Sequence, residues 1–146
     1  VLALFFMRIL ESYVPFFKEI IATSMPSTVF LIRTGVLTAM VFFGYQTPKI
    51  QRLADSGRFA RNILQDSLLG GFLGAVNGYF IFGTIWYYLN ATGYPFSFVT
   101  APDANTLNGM ASLNLIHFLP PSYLMGSPAI YFAVAICCVF IVVVFI

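Results

Sequence analysis

One stretch of the sequence, residues 66–89, limits most strongly what this chain can fold into. After Asp66 it contains no charged residue, and three glycines are spaced four residues apart at Gly70, Gly74 and Gly78. In water, each glycine inside a helix costs about 1 kcal/mol relative to alanine. In a lipid bilayer, backbone groups must bond to one another, so about 20 apolar residues form a helix almost by default. The stretch is therefore predicted to be a transmembrane helix.

The small residues of this predicted helix form two neighbouring rows, which would let a second helix approach closely. Asn77 is the one polar residue deep in the helix, and it is expected to hydrogen-bond to the preceding span. Its candidate partners there are Arg33, Thr34 and Thr38. We predict that the resulting helix-packing face meets that span. The face consists of Ser67, Gly70, Gly71, Gly74, Ala75, Asn77 and Gly78.

The composition of the whole chain also indicates a membrane protein. Of its 146 residues, 60% are hydrophobic and only 8% are charged, whereas a soluble domain has about 25% charged residues. The net charge of +2 is too small to indicate nucleic-acid binding. We therefore expect a single all-α domain, a polytopic transmembrane helix bundle of three to four spans. Its expected partners are the lipid bilayer and other membrane-protein subunits, with no nucleic acid.

Apolar runs and proline positions predict where the spans lie. Pro15 is expected to kink or end the first helix, so that segment is either a full span or a shorter span followed by an interfacial turn. Ser24 and Ser27 are candidate caps for the second span. The chain begins and ends inside apolar runs, so we expect further residues at both ends. The predicted spans are residues 1–22, 28–45, 66–89 and 127–146.

The two longer connections differ in character. Residues 46–65 contain four of the seven basic residues, Lys49, Arg52, Arg58 and Arg61. The positive-inside rule makes this loop cytoplasmic, and its periodicity predicts an amphipathic surface helix. A plain topology signal and a docking patch for anionic lipid or a partner both remain open. Residues 90–126 are predicted to be an apolar outer loop, with a short helix over 109–119 that ends at Pro120.

Charged and aromatic residues near the predicted spans suggest specific contacts. Arg33 is the charge inside the second span, and it is either part of a functional site or extends to the lipid headgroups. Arg8 and Glu11 are three residues apart and are expected to pair on one helix face. The run from Trp86 to Tyr88 is predicted to lie at the outer membrane interface.

The sequence offers little for catalysis or metal binding. His117 is the only histidine, and a zinc site or a histidine-based triad needs partners that this sequence lacks. Cys137 and Cys138 are adjacent in an apolar run, which favours buried apolar fillers. We therefore expect a non-enzymatic protein with no catalytic residue, no metal and no cofactor.

The helix start Asp66-Ser-Leu-Leu-Gly-Gly-Phe-Leu-Gly-Ala-Val-Asn-Gly78 resembles the colicin V production protein family of small bacterial inner-membrane proteins. The resemblance covers residues 28–89. Ser67 and Asn77 stand where the family often has arginine. The resemblance implies a four-helix inner-membrane protein linked to export or envelope maintenance, with no established chemistry. Asp66, Leu69, Gly70, Gly74 and Gly78 fall on positions of the family pattern.

Two functional hypotheses follow from these observations. The first is a membrane protein of this family that acts through helix packing and contacts with partners or lipid. The second is an accessory transmembrane subunit of a larger photosynthetic or respiratory complex, which contacts pigment, quinone or neighbouring subunits along its aromatic faces.

Overall fold

A computed structural model describes residues 1–46, 63–126 and 128–145 of the chain. Within these ranges all regular structure is helical, which confirms the all-α class. The predictions for the basic loop, including Lys49, Arg52, Arg58 and Arg61, lie outside the described residues. The helices are α1 (Leu2–Tyr13), α2 (Pro15–Thr23), α3 (Pro26–Gln46), α4 (Ile63–Ala91), α5 (Leu107–Ile116), α6 (Pro120–Leu124) and α7 (Ala129–Phe145).

The first two helices are separated at a proline, as predicted. Val14 lies between them with extended backbone, at φ −99° and ψ 103°. Proline has no N–H and its ring clashes with the preceding turn, but it is well tolerated at the start of a helix. α2 therefore begins at Pro15. The 12 residues of α1 span about 18 Å, well below the roughly 30 Å of a bilayer core, so no continuous helix covers residues 1–22.

The longer helices lie close to their predicted positions, but their starts differ. α3 begins at Pro26, so neither candidate serine is its N-cap, and Ser24 instead ends α2. α4 begins at Ile63, so Asp66 lies inside this helix. Pro128 directly precedes α7.

The outer segment folds back onto the long helices. Thr106 caps α5, and its hydroxyl accepts a hydrogen bond from the Gly109 N–H at 3.1 Å. The helix ends at Ile116, and Pro120 begins the separate helix α6 instead of only ending the predicted one. Part of the unusual apolar character of this segment is explained by three buried side chains, Ile116, Leu119 and Leu124.

α1 lies at the centre of the helix packing, where it contacts α2, α3 and α7. Its Leu4 is buried in a cluster with Leu124 of α6 and Ile130 of α7. Its Met7 is buried in a second cluster, which contains Leu37 of α3 and Tyr88 of α4. One short helix therefore contributes to both apolar cores. Leu4 and Met7 are three residues apart, so both lie on the same side of α1.

Gly83 allows α4 and α6 to approach each other closely. It is buried, and an ideal Cβ at this position would lie 2.7 Å from Cδ of Pro120. No larger residue fits there unless one of the helices moves. Gly83 lies outside the four-residue rows of small residues, so spacing in the sequence does not reveal its role.

Among the described residues, α3 is the one helix that is both long and apolar enough to cross a membrane, over Pro26–Tyr45. Only 11% of its apolar window is buried. The apolar part of α7, Ala129–Val143, is shorter. Length and composition thus identify one candidate span among the described residues.

We predict that Gly83→Ala lowers the free energy of unfolding by about 1–3 kcal/mol, because the added methyl group overlaps Pro120. Gly78→Ala is the matched control, since a Cβ there meets no atom within 4 Å. It is expected to leave stability unchanged or to raise it. Reversible unfolding in detergent micelles measures both variants. Equal stability of the two would contradict the close α4–α6 contact.

Candidate functional site

The predicted helix-packing face lies on an exposed part of α4. Residues 70–77 are all exposed, and an ideal Cβ on Gly70, Gly71 or Gly74 would meet no heavy atom within 4 Å. Gly78 is half-buried but has equally open space beside its Cα. The predicted packing against the Arg33-bearing helix of the same chain is therefore wrong for these four glycines, whereas Asn77 of the same face does contact that helix.

Larger side chains make the contact between α3 and α4. Leu37 of α3 packs in the same buried cluster as Tyr88 of α4. Farther along, the Asn77 side-chain amide donates a hydrogen bond to the Tyr45 hydroxyl at 2.6 Å. Asn77 lies within the small-residue face and Tyr88 lies C-terminal to it, whereas Gly70, Gly71 and Gly74 stay uncovered by α3.

The predicted partners of Asn77 are also wrong. Its bond goes to Tyr45, whereas the Thr38 hydroxyl donates to the Thr34 backbone carbonyl at 2.8 Å. The Thr34 hydroxyl oxygen is buried and has no hydrogen-bond partner within the described ranges. Asn77 nevertheless hydrogen-bonds to the preceding helix, as predicted. Its partner there is Tyr45.

Arg33 pairs with a carboxylate from another helix. Its Nε lies 2.8 Å from Oε1 of Glu11 on α1, and the two side chains are only 19% and 23% exposed. The predicted pair between Arg8 and Glu11 is therefore wrong. A pair on one exposed helix face gains only about 0.3–0.5 kcal/mol, whereas a half-buried guanidinium such as that of Arg33 has a stronger need for an acceptor.

Tyr88 completes this cluster from α4. The guanidinium carbon of Arg33 lies 5.7 Å from the centroid of the Tyr88 ring, which is a cation–π contact. Tyr88 is 1% exposed, so its ring is buried between helices. Its hydroxyl has no partner among the residues described. The cluster of Glu11, Arg33 and Tyr88 thus joins α1, α3 and α4 at one point.

A second polar contact ties the outer segment to α4. The Tyr79 hydroxyl donates to the backbone carbonyl of Phe118. Partial burial of the phenol, and then a hydrogen bond with Tyr79, raise the pKa of Tyr123 in α6 to about 12. Tyr123 therefore keeps its proton at neutral pH. Sequence reasoning missed this contact, because tyrosines in apolar segments carry no positional signal.

The residues considered for other chemistry lie apart. His117 is exposed, and its backbone N–H donates to the carbonyl of Asn114 at the end of α5. Cys137 is half-buried and Cys138 is exposed, so the prediction of buried fillers is wrong for Cys138. In the part of the chain that the structure describes, no three histidine, cysteine or acidic residues are grouped to hold a metal ion.

Comparison of the chain with protein-family models, curated proteins and solved structures found no match. The resemblance of residues 28–89 to the colicin V production protein family therefore remains a prediction. The exposed glycine rows of α4 and the cluster around Arg33 are the candidate functional features of the chain.

We predict that Arg33→Gln and Glu11→Gln each lower the free energy of unfolding by about 1–3 kcal/mol, because each leaves a half-buried partner unpaired. The double variant should lose clearly less than the sum of the two single losses. Unfolding in detergent micelles measures this cycle. Arg8→Gln is the control, with an expected change within about 0.5 kcal/mol. Strict additivity of the two losses would contradict a direct pair.

Proposed function

We propose that this chain is a non-enzymatic, multi-pass protein of the bacterial inner membrane that acts through helix packing with other membrane-protein subunits and with lipid. The observation that carries this proposal is the exposed, small-residue face of α4. Each glycine in that face adds to the cost of forming the helix, and a closely approaching second helix is the gain that offsets this cost.

The exposed apolar surface supports the membrane location. α3 is apolar along its length and little buried, whereas the apolar helix of a soluble core is mostly buried. Large apolar side chains of α7 are also exposed, with Phe132 at 65%, Ile136 at 69% and Val143 at 74%. Soluble monomers rarely expose a contiguous apolar patch of this kind.

The lengths of the helices support several spans. α3, α4 and α7 contain 21, 29 and 17 residues, which correspond to about 31, 43 and 25 Å of helix. A bilayer core is about 30 Å thick. With the basic loop of residues 46–65 in the cytoplasm, α3 would run inward, α4 outward and α7 inward again. Membership in the colicin V production protein family is part of the proposal and rests on the motif in residues 66–78.

We predict that Ala75→Leu disrupts assembly with partner subunits while insertion into the membrane is retained, because the larger side chain blocks close approach to α4. Ala135→Leu is the matched control, since Ala135 is an equally exposed alanine on α7. Membrane fractionation measures insertion, and sizing in mild detergent measures assembly. Gly74→Leu should act like Ala75→Leu.

Unchanged assembly of both α4 variants would contradict the packing proposal. Loss of assembly in Ala135→Leu alone would move the contact to α7. Loss of membrane insertion in an α4 variant would show that the substitution impairs insertion of α4 rather than its packing against a partner.

A second candidate function is that of an accessory subunit of a photosynthetic or respiratory complex. The exposed aromatic side chains of the long helices favour it, including Phe42 at 57%, Phe72 at 66% and Phe82 at 73% exposure. Flat aromatic rings on a lipid-facing surface suit contact with carotenoid, quinone or a neighbouring subunit.

Sizing of the native protein in mild detergent distinguishes the two functions. An accessory subunit is expected to migrate with a large particle that carries pigment or haem absorbance. Migration in an assembly without such absorbance would favour the first function. Migration as a small free protein would contradict both.

A further inference from the structure

An open cleft lies where three helix ends meet beside Arg33. α2 ends at its edge, α3 begins there, and α4 ends on the opposite side. The cleft has a volume of about 270 Å³. If α3 and α4 span the bilayer, helix ends of this kind lie at the level of the lipid headgroups. The cleft is lined by Ile21, Ser24, Pro26, Val29, Arg33, Ala91 and Thr92.

Arg33 has hydrogen-bond donors to spare in this cleft. Its Nε–H bonds to Glu11, and Glu11 is the only acceptor that the described residues offer to this guanidinium. The Arg33 side chain is 19% exposed, and its two Nη groups are not among the fully buried atoms that lack a partner. The Nη groups form one side of a planar fork that matches a phosphate or carboxylate group. Among the described residues, no carboxylate lines the cleft.

Two other side chains of the lining, Ser24 and Thr92, carry hydroxyl groups. Ser24, which ends α2, lines the cleft together with Arg33. Carbonyls at the end of α4 are occupied by capping bonds, because the N–H groups of Thr92 and Tyr94 bond to the carbonyls of Tyr88 and Leu89. The Thr92 hydroxyl bonds to the same two carbonyls. Glu11 orients the guanidinium from outside the cleft.

We infer that this cleft is a binding site for a phosphate group, held by the Nη donors of Arg33 with the Ser24 hydroxyl beside them. Two sources supply this chemistry, the headgroup of a phospholipid and free phosphate. The apolar side chains of Ile21 and Val29 at the same cleft favour the lipid, because they can contact its glycerol and upper acyl chain. The inference goes beyond the proposed function, since free phosphate would use the same donors in a protein outside a membrane.

The test compares the wild type with Arg33→Gln, and with Arg8→Gln as the matched loss of one arginine outside the cleft. In the first arm, native mass spectrometry counts lipids retained from nanodiscs of equal phosphatidylglycerol and phosphate-free galactolipid. In the second arm, inorganic phosphate is titrated against the protein in a neutral detergent, and thermal unfolding is followed. Arg33→Gln should lose about tenfold in affinity for the phosphate group, and Arg8→Gln should lose none.

Preferential retention of phosphatidylglycerol that depends on Arg33 identifies the lipid as the source. A phosphate-dependent stabilisation that depends on Arg33, with equal lipid retention in both variants, identifies free phosphate. The inference is overturned if neither readout depends on Arg33, or if Arg8→Gln loses as much as Arg33→Gln.

Ser24→Ala keeps the test decisive if the loss of Arg33 unfolds the protein, because this variant leaves the pair with Glu11 intact. It should weaken binding about threefold, the effect of one neutral hydrogen bond. Unchanged affinity of Ser24→Ala for both phosphatidylglycerol and inorganic phosphate would show that the Ser24 hydroxyl does not contribute to binding. Together with an unfolded Arg33 variant, that result would also count against the inference.

Discussion

The half-buried guanidinium of Arg33 is the constraint on which the helix arrangement depends. A charged group in an apolar helix is costly unless a partner of opposite charge lies close to it. Glu11 supplies that partner from α1, which requires the end of α1 to lie beside α3. Once α1 is in this position, its Met7 packs with Leu37 and Tyr88 in the buried core. The ion pair and the apolar cluster therefore specify the same arrangement of α1, α3 and α4.

This arrangement divides α4 into two halves with different surroundings. Its C-terminal half is buried at Gly83, Thr84 and Tyr88, where α1, α3 and α6 meet it. Residues 70–77 in the other half are exposed. α1 runs along this buried half, with Leu4 beside Phe80 and Glu11 beside Arg33 near Tyr88.

Much of the fold could be predicted from the sequence, because apolar length and proline position are local signals. They gave the all-α class, the break before Pro15 and the approximate extents of α3, α4 and α7. The partners could not be predicted in the same way. Spacing suggested Arg8 for Glu11, yet a residue 22 positions away forms the pair, since tertiary contact decides where a half-buried charge finds its counterion. Periodicity likewise identified a small-residue surface on α4 without indicating what covers it.

The glycines of α4 differ in whether another residue occupies the space beside them. At Gly83 the missing side chain has a visible use, because Pro120 occupies the space that a Cβ would need. At Gly70, Gly71 and Gly74 the same omission leaves open space, although the cost to the helix is of the same kind. Within the chain, then, one half of α4 uses its glycine for close packing and the other half does not. A helix from another subunit could pack against Gly70, Gly71 and Gly74 as α6 packs against Gly83. Close helix packing would then explain the glycines in both halves of α4.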